Sequence, residues 1–163
     1  MRLMRVWRRM PALVHEQADL LRGEVADIFD RQGVAVSQDT HRECLLFILW
    51  SVHAGLLNMR AGLPRGVLLW LHRRKVARTA RSGDHRLLPL YERRLIEALY
   101  VVRNIVAERT AQGWALPLST RTARMFLKNA SPPAGPVQAA MLDDVLAILR
   151  RRSSACIGTL LAA

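Results

Sequence analysis

The feature of this sequence most suited to binding a ligand is a run of basic residues at helical spacing. Four of its members recur at steps of three or four residues: Arg74, Arg78, Arg81 and His85. On a helix these side chains share one face. The surrounding stretch, residues 60–94, holds ten basic and two acidic residues and so carries +8 of the chain's formal charge of +12. Such a row predicts a surface for an anionic polymer, with a solvated charged face or an acidic protein partner as the alternatives.

A second, shorter cationic row recurs at i, i+3 and i+7 within residues 120–129. Of the 25 basic residues, 23 are arginine, which binds phosphate bidentately and stacks on bases. A GC-rich genome would produce the same bias. The expected contacts to an RNA or DNA backbone are Arg65, Arg73, Arg74, Lys75, Arg78, Arg81, Arg86, Arg121, Arg124 and Lys128. Trp7, Trp70 and Tyr91 flank basic residues; a place in the core is the favoured interpretation for each, with base stacking as the alternative.

Motifs for catalysis, cofactors and metals are not found in the sequence. It has no glycine-rich nucleotide loop and no Cys-x-x-Cys, and His41 with Cys44 lacks a second ligand pair. We therefore expect no catalytic residue, no cofactor and no metal. Cys44 and Cys156 cannot make a disulfide framework, which favours a reducing, cytoplasmic location. The longest apolar run, 44–57, is too short for a membrane-spanning helix, and residues 1–10 do not form a signal peptide.

The hydrophobic pattern predicts an all-α fold, a single domain over residues 1–163 built from five or six helices. The expected order is a basic arm or short helix at 1–10, then helices at 11–32, 39–61, 64–82, 88–111, 120–129 and 137–152, with a proline-rich linker at 131–136. The helix at 39–61 is apolar on nearly every side and is expected at the centre. No segment alternates long enough to predict a strand.

Charges at the two ends of the chain allow several interpretations. The helix at 11–32 carries five of the 13 acidic residues. We expect them to be solvated or to pair with basic helices, or, in an oligomer, to contact the basic face of another copy. The Arg150–Arg152 triplet would end the last helix, where cations complement the helix dipole or bind phosphate.

Two alternative functions fit parts of the sequence. A helix-turn-helix DNA reader would use residues 64–82 or 120–129 as its recognition helix. An arginine followed by a histidine also resembles the loose motif of the HEPN ribonucleases, with Arg65 and His72 as the catalytic pair. Arg78 with His85 and Arg9 with His15 match it as well, so the motif discriminates poorly. The polar residue that follows the arginine in that family is replaced by Gly66.

The size, charge and helix pattern of the whole chain resemble the helical small subunits of multi-subunit CRISPR effector complexes. The resemblance rests on those features and not on a motif, so no site residue is carried over from it. It implies a non-catalytic subunit of an antiviral ribonucleoprotein, stacked in several copies beside other protein subunits. It also implies sequence-independent contact with a nucleic-acid backbone and no contact with a membrane.

Overall fold

Six helices and one small hairpin make up the described part of the chain, in a computed structural model that describes residues 2–59, 63–96, 106–130, 132–133 and 135–161. The predicted all-α class is confirmed. In chain order the elements are α1 (Arg2–Arg31), α2 (Gln38–Asn58), α3 (Leu63–Ser82), α4 (Leu87–Ile96), β1 (Glu108–Thr110), β2 (Gly113–Ala115), α5 (Thr120–Asn129) and α6 (Pro136–Leu161).

Helix α2 lies at the centre, as its apolar sequence predicts, and other helices pack against opposite sides of it. The ring of Phe47 meets that of Phe126 in α5 edge to face, with centroids 6.1 Å apart. On the other side, Nε2 of His72 in α3 lies 3.1 Å from the carbonyl oxygen of Leu49. Phe47 and Leu49 are two residues apart, about 200° around a helix. Helices α3 and α5 are therefore separated by the full width of α2.

Helix α6 packs closely along both α2 and α1. Gly55 permits the approach to α2, because a Cβ at that position would lie 2.7 Å from Cδ1 of Leu160. Ion pairs join α6 to α1: the Arg152 guanidinium donates to both carboxylate oxygens of Glu24 at 2.7 and 2.8 Å, and Arg151 contacts the same carboxylate. The hydrogen bonds and charge of Arg152 lower the pKa of Glu24.

The N-terminal boundary differs from the prediction, because α1 begins at Arg2 and runs straight through Pro11. A proline inside a helix removes one backbone hydrogen bond and favours a break. Here tertiary packing outweighs that cost, since Met10 is fully buried and Trp7 packs against the core. The expected separate arm at 1–10 is the first part of α1.

The predicted helix over 88–111 is wrong at its C-terminal end. Helix α4 extends to Ile96 in the described residues, and the segment 97–105 lies outside them. Residues 108–110 instead pair antiparallel with 113–115 in a hairpin, so the expectation of no strand is also wrong. Thr110 fixes the turn, because its hydroxyl donates to the carbonyl of Gly113 at 2.9 Å. Gly113 has φ +116°, which glycine adopts without strain.

The last helix is longer than predicted and continues to Leu161. The Arg150–Arg152 triplet therefore lies inside the helix and not at its C-terminal end. Both predictions that placed it there, charge complementation of the helix dipole and phosphate binding, are wrong about its position. Arg150 donates to the carbonyl of Leu118 at 2.8 Å, and the other two arginines pair with Glu24. Of the linker predicted over 131–136, residues 132, 133 and 135 precede α6, while 131 and 134 lie outside the described residues.

Candidate nucleic-acid interface

The cationic row predicted on the third helix is present on the exposed side of α3. Its buried side is formed by Leu68, His72 and Val76, spaced four residues apart, which hold the helix against α2. The opposite side carries a row that we call the α3 row and define as Trp70, Arg74, Arg78 and Arg81, all of them exposed. Val67 is exposed on the same side but precedes the row. His85 is not part of it, because α3 ends at Ser82.

Tryptophan side chains lie against two cations of α3. The guanidinium carbon of Arg74 is 5.1 Å from the ring centroid of Trp70, one helical turn earlier on the same face. The ammonium of Lys75 is 5.4 Å from the ring centroid of Trp7, which reaches over from α1. Both distances suit cation–π attraction. Between them runs a shallow surface groove lined by Trp7, Leu71, Arg74, Lys75, Arg78 and Thr79.

The two acidic residues of the stretch 60–94 pair with arginines outside the α3 row. Glu92 accepts from Nη2 of Arg73 at 2.5 Å. Asp84 pairs with Arg42 of α2, and that guanidinium lowers the pKa of the Asp84 carboxyl. The backbone N–H of Arg86 also donates to Asp84, at 3.0 Å. These two ion pairs therefore involve neither Arg74 nor Arg81.

Some predicted contacts of this stretch have structural roles. Nη1 of Arg65 lies 3.4 Å from the carbonyl oxygen of Leu57, at the end of α2. Arg94, counted in the +8, is buried and pairs with buried Glu43 at 3.2 Å. Tyr91 is fully buried, which confirms the favoured interpretation that it lies in the core and excludes base stacking there. Arg60 lies outside the described residues.

The second predicted row is present but is not joined to the first. Arg121, Arg124 and Lys128 are exposed on α5, which has no acidic residue. Among the described residues, no ion pair is recorded for these three side chains. Helices α3 and α5 lie on opposite sides of α2, so at 8–10 Å per helix pair their axes are about 20 Å apart. The two rows are separate surfaces.

His72 belongs to a buried polar cluster at the junction of α2, α3 and α4. It is 2% exposed, and its Nε2–H donates to Leu49, since a carbonyl can only accept. Its ring centroid lies 6.3 Å from that of His53 and 5.9 Å from that of Tyr91. Burial lowers the pKa of both histidines to about 4. This cluster cannot be predicted from the sequence, because its members are far apart along the chain.

The arginine and histidine of the HEPN-like motif are not brought together. Arg65 lies beside Leu57 and His72 beside Leu49, eight residues apart along α2. At 1.5 Å per residue, the two anchoring points are about 12 Å apart. A proton transfer between neighbouring side chains requires about 3 Å. The pair therefore does not form a compact acid–base site in this arrangement.

The described residues contain no group of three or more His, Cys, Asp or Glu side chains able to hold a metal ion. None of their helices is both long and apolar enough to cross a membrane. No known protein family matches the chain, and neither a curated protein nor a solved structure was found to be similar to it. The chemistry of the exposed side chains is thus the guide to function.

Proposed function

We propose that this protein is a non-catalytic, sequence-independent nucleic-acid-binding subunit of a cytoplasmic ribonucleoprotein assembly of the CRISPR effector type. The observation that carries the proposal is the α3 row, in which Arg74, Arg78 and Arg81 lie on one exposed helix face. At steps of three and four residues they extend over about 10 Å along the axis. A polyanion lying along this face would meet successive guanidinium groups, each able to bind phosphate bidentately.

The arrangement of the row favours backbone contact over base readout. A recognition helix presents polar side chains to base edges in the major groove, commonly asparagine or glutamine beside arginine. The described exposed face of α3 instead offers arginines, a valine and a tryptophan. Guanidinium groups on phosphates fix position but carry no sequence information directly. Affinity should accordingly be similar for nucleic acids of different sequence.

An acidic surface on α1 supports association with other subunits or copies. Glu16, Asp19, Asp27 and Asp30 are exposed along one side of α1, whereas Glu24 is turned towards α6. This surface complements the charge of the second row, Arg121, Arg124 and Lys128 on α5, which leaves the α3 row to the nucleic acid and favours side-by-side contact between copies. Native purification should then give a particle heavier than a monomer, with a high ratio of absorbance at 260 to that at 280 nm.

Neutralising the α3 row tests the interface. A triple variant, R74Q/R78Q/R81Q, is compared with a matched triple on α5, R121Q/R124Q/K128Q, which removes the same charge. Fluorescence anisotropy with RNA and DNA oligonucleotides of several sequences, over a range of salt concentrations, gives each Kd. We expect the α3 triple to weaken binding to all sequences alike and to reduce the log–log salt slope by about 2–3.

The matched triple separates the possible results. If the α3 triple binds like the wild type, the α3 row is not the interface. A larger loss for the α5 triple would assign the main contact to the second row. Strong preference for particular duplexes in the wild type would contradict sequence-independent binding and favour a DNA reader.

A further inference from the structure

We infer that the α3 row takes single-stranded nucleic acid and that a base stacks at the exposed indole of Trp70; this rests on the proposed function. The side chain of Trp70 is 56% exposed. The other large aromatic side chains of the helices are placed differently: Phe29, Phe47, Trp50, Tyr91 and Phe126 are buried, and Trp7 is half-buried. An indole left in water beside a cationic row is available to a ligand with its own π-face.

The guanidinium of Arg74 lies over the Trp70 indole. With its guanidinium 5.1 Å from the ring centroid, Arg74 covers one part of the indole and lies one turn along the same face. A planar guanidinium stacks on aromatic rings on one side and can receive a base on the other. A base can therefore add to this pair on the guanidinium or on the uncovered indole surface. Arg78 and Arg81 follow one and two turns further on, where the backbone phosphates would continue.

Trp7 is less suited to this role than Trp70. It is half-buried against the core, and the Lys75 ammonium lies 5.4 Å from its ring centroid. Burial lowers the pKa of Lys75, in keeping with an ammonium partly withdrawn from water. Trp7 therefore forms the wall of the groove beside the α3 row. Trp70 is left as the stacking surface.

A stacking contact selects single strands over duplexes. Bases within a duplex are stacked on each other and present only their edges, whereas an unpaired base can turn its face to an aromatic side chain. Every base has such a face, so the contact tolerates any sequence. Stacking thus adds selectivity for strandedness to the sequence-independent backbone contact.

The test compares a single-stranded oligonucleotide, as DNA and as RNA, with the duplex of the same sequence. Trp70→Ala removes the indole without changing charge. Val67→Ala is the matched control, because Val67 is an exposed apolar residue, at 41%, on the same face and has no π-face. Arg74→Lys keeps the charge and removes the planar group. Circular dichroism confirms that each variant is folded.

We expect Trp70→Ala to weaken single-strand binding by about fivefold or more, and Trp70→Phe to restore part of it. Val67→Ala should change single-strand binding by less than about twofold, and Trp70→Ala should change duplex binding by less than about twofold. The salt slope should stay unchanged in both variants, because no charge is lost. If Trp70→Ala binds single strands like the wild type while R74Q/R78Q/R81Q does not, stacking is refuted and the proposed function stands. If the wild type binds phosphatidylserine vesicles but no nucleic acid, both are refuted.

Discussion

Two arginines of the same basic stretch should affect stability very differently when they are removed. The Arg94–Glu43 pair has side-chain exposures of 8% and 3%, with a nitrogen–oxygen distance of 3.2 Å. The Arg73–Glu92 pair is 67% and 39% exposed, although its atoms are closer, at 2.5 Å. Burial, and not distance, decides the outcome, because water screens the exposed pair.

Arg94→Met should lower the free energy of unfolding by about 3–5 kcal/mol. The change leaves the Glu43 carboxylate buried without its guanidinium, and removing one partner of a buried pair costs about this much. The Asn129 amide, 3.4 Å from the same carboxylate, remains but carries no charge. Arg73→Met, the control with the same chemistry, should cost less than about 1 kcal/mol. Urea denaturation followed by circular dichroism at 222 nm gives both values.

A double variant tests the physical reason for the loss. Replacing both charges, in Glu43→Leu with Arg94→Met, should recover much of the lost stability, because no buried charge remains. The reasoning is refuted if Arg94→Met costs no more than Arg73→Met. It is also refuted if the double variant costs the sum of Glu43→Leu and Arg94→Met measured singly.

Two other properties of the fold can be tested in the same way. Stability should fall as pH drops from about 6.5 to about 4, because burial holds the pKa of His53 and His72 at about 4 and the unfolded chain binds their protons first. Each histidine should account for a loss on the order of 3 kcal/mol in the free energy of unfolding over this pH range. His53→Gln should therefore make the urea midpoints at pH 7, 5.5 and 4.5 differ less than in the wild type. An unaltered pH profile would assign the acid sensitivity to other groups. Gly55→Val should cost about 1–3 kcal/mol by overpacking, whereas Gly23→Ala, with nothing within 4 Å of its Cβ position, should stabilise the protein by about 0.5–1 kcal/mol. Thermal unfolding compares them, and a stabilising Gly55→Val would contradict the close contact of α2 with α6.

The elements that follow from local sequence signals were predicted well. Helix α5 begins after Ser119 and ends at Asn129, as expected, and α3 matches the prediction within one residue. Ser37 caps α2 by accepting from the N–H of Thr40 at 3.2 Å. In each case the signal lies in the side chains next to the boundary.

The misses arise where distant contacts override local signals. Burial of Met10 keeps α1 intact through Pro11, and sequence alone cannot weigh that packing against the missing hydrogen bond. Helix α6 was cut short at the arginine triplet, although Ser153, Cys156, Ile157 and Leu160 continue its buried side. That spacing of three and four residues was a readable signal.

The candidate site was predicted in outline but not in its individual contacts. The spacing of Arg74, Arg78 and Arg81 places them on one face without further information. Sequence could not show that Arg94 is buried against Glu43 or that Trp70 is exposed, because both depend on which side of each helix meets α2. It also could not show that the second row, Arg121, Arg124 and Lys128, lies on the side of α2 opposite to the α3 row.

The hydrogen bond between Asn58 and Ala107 gives α3 an unusual place in the chain. The backbone N–H of Ala107 donates to Oδ1 of Asn58 at 2.7 Å, so the chain returns to the point where it left α2. Helices α3 and α4 thus lie between two points of the chain that adjoin, while α1, α2, α5 and α6 pack together. Exchanging such a segment for another need not rethread the remaining helices. Under the proposed function, the nucleic-acid contact of this fold would be changed through one contiguous piece of sequence.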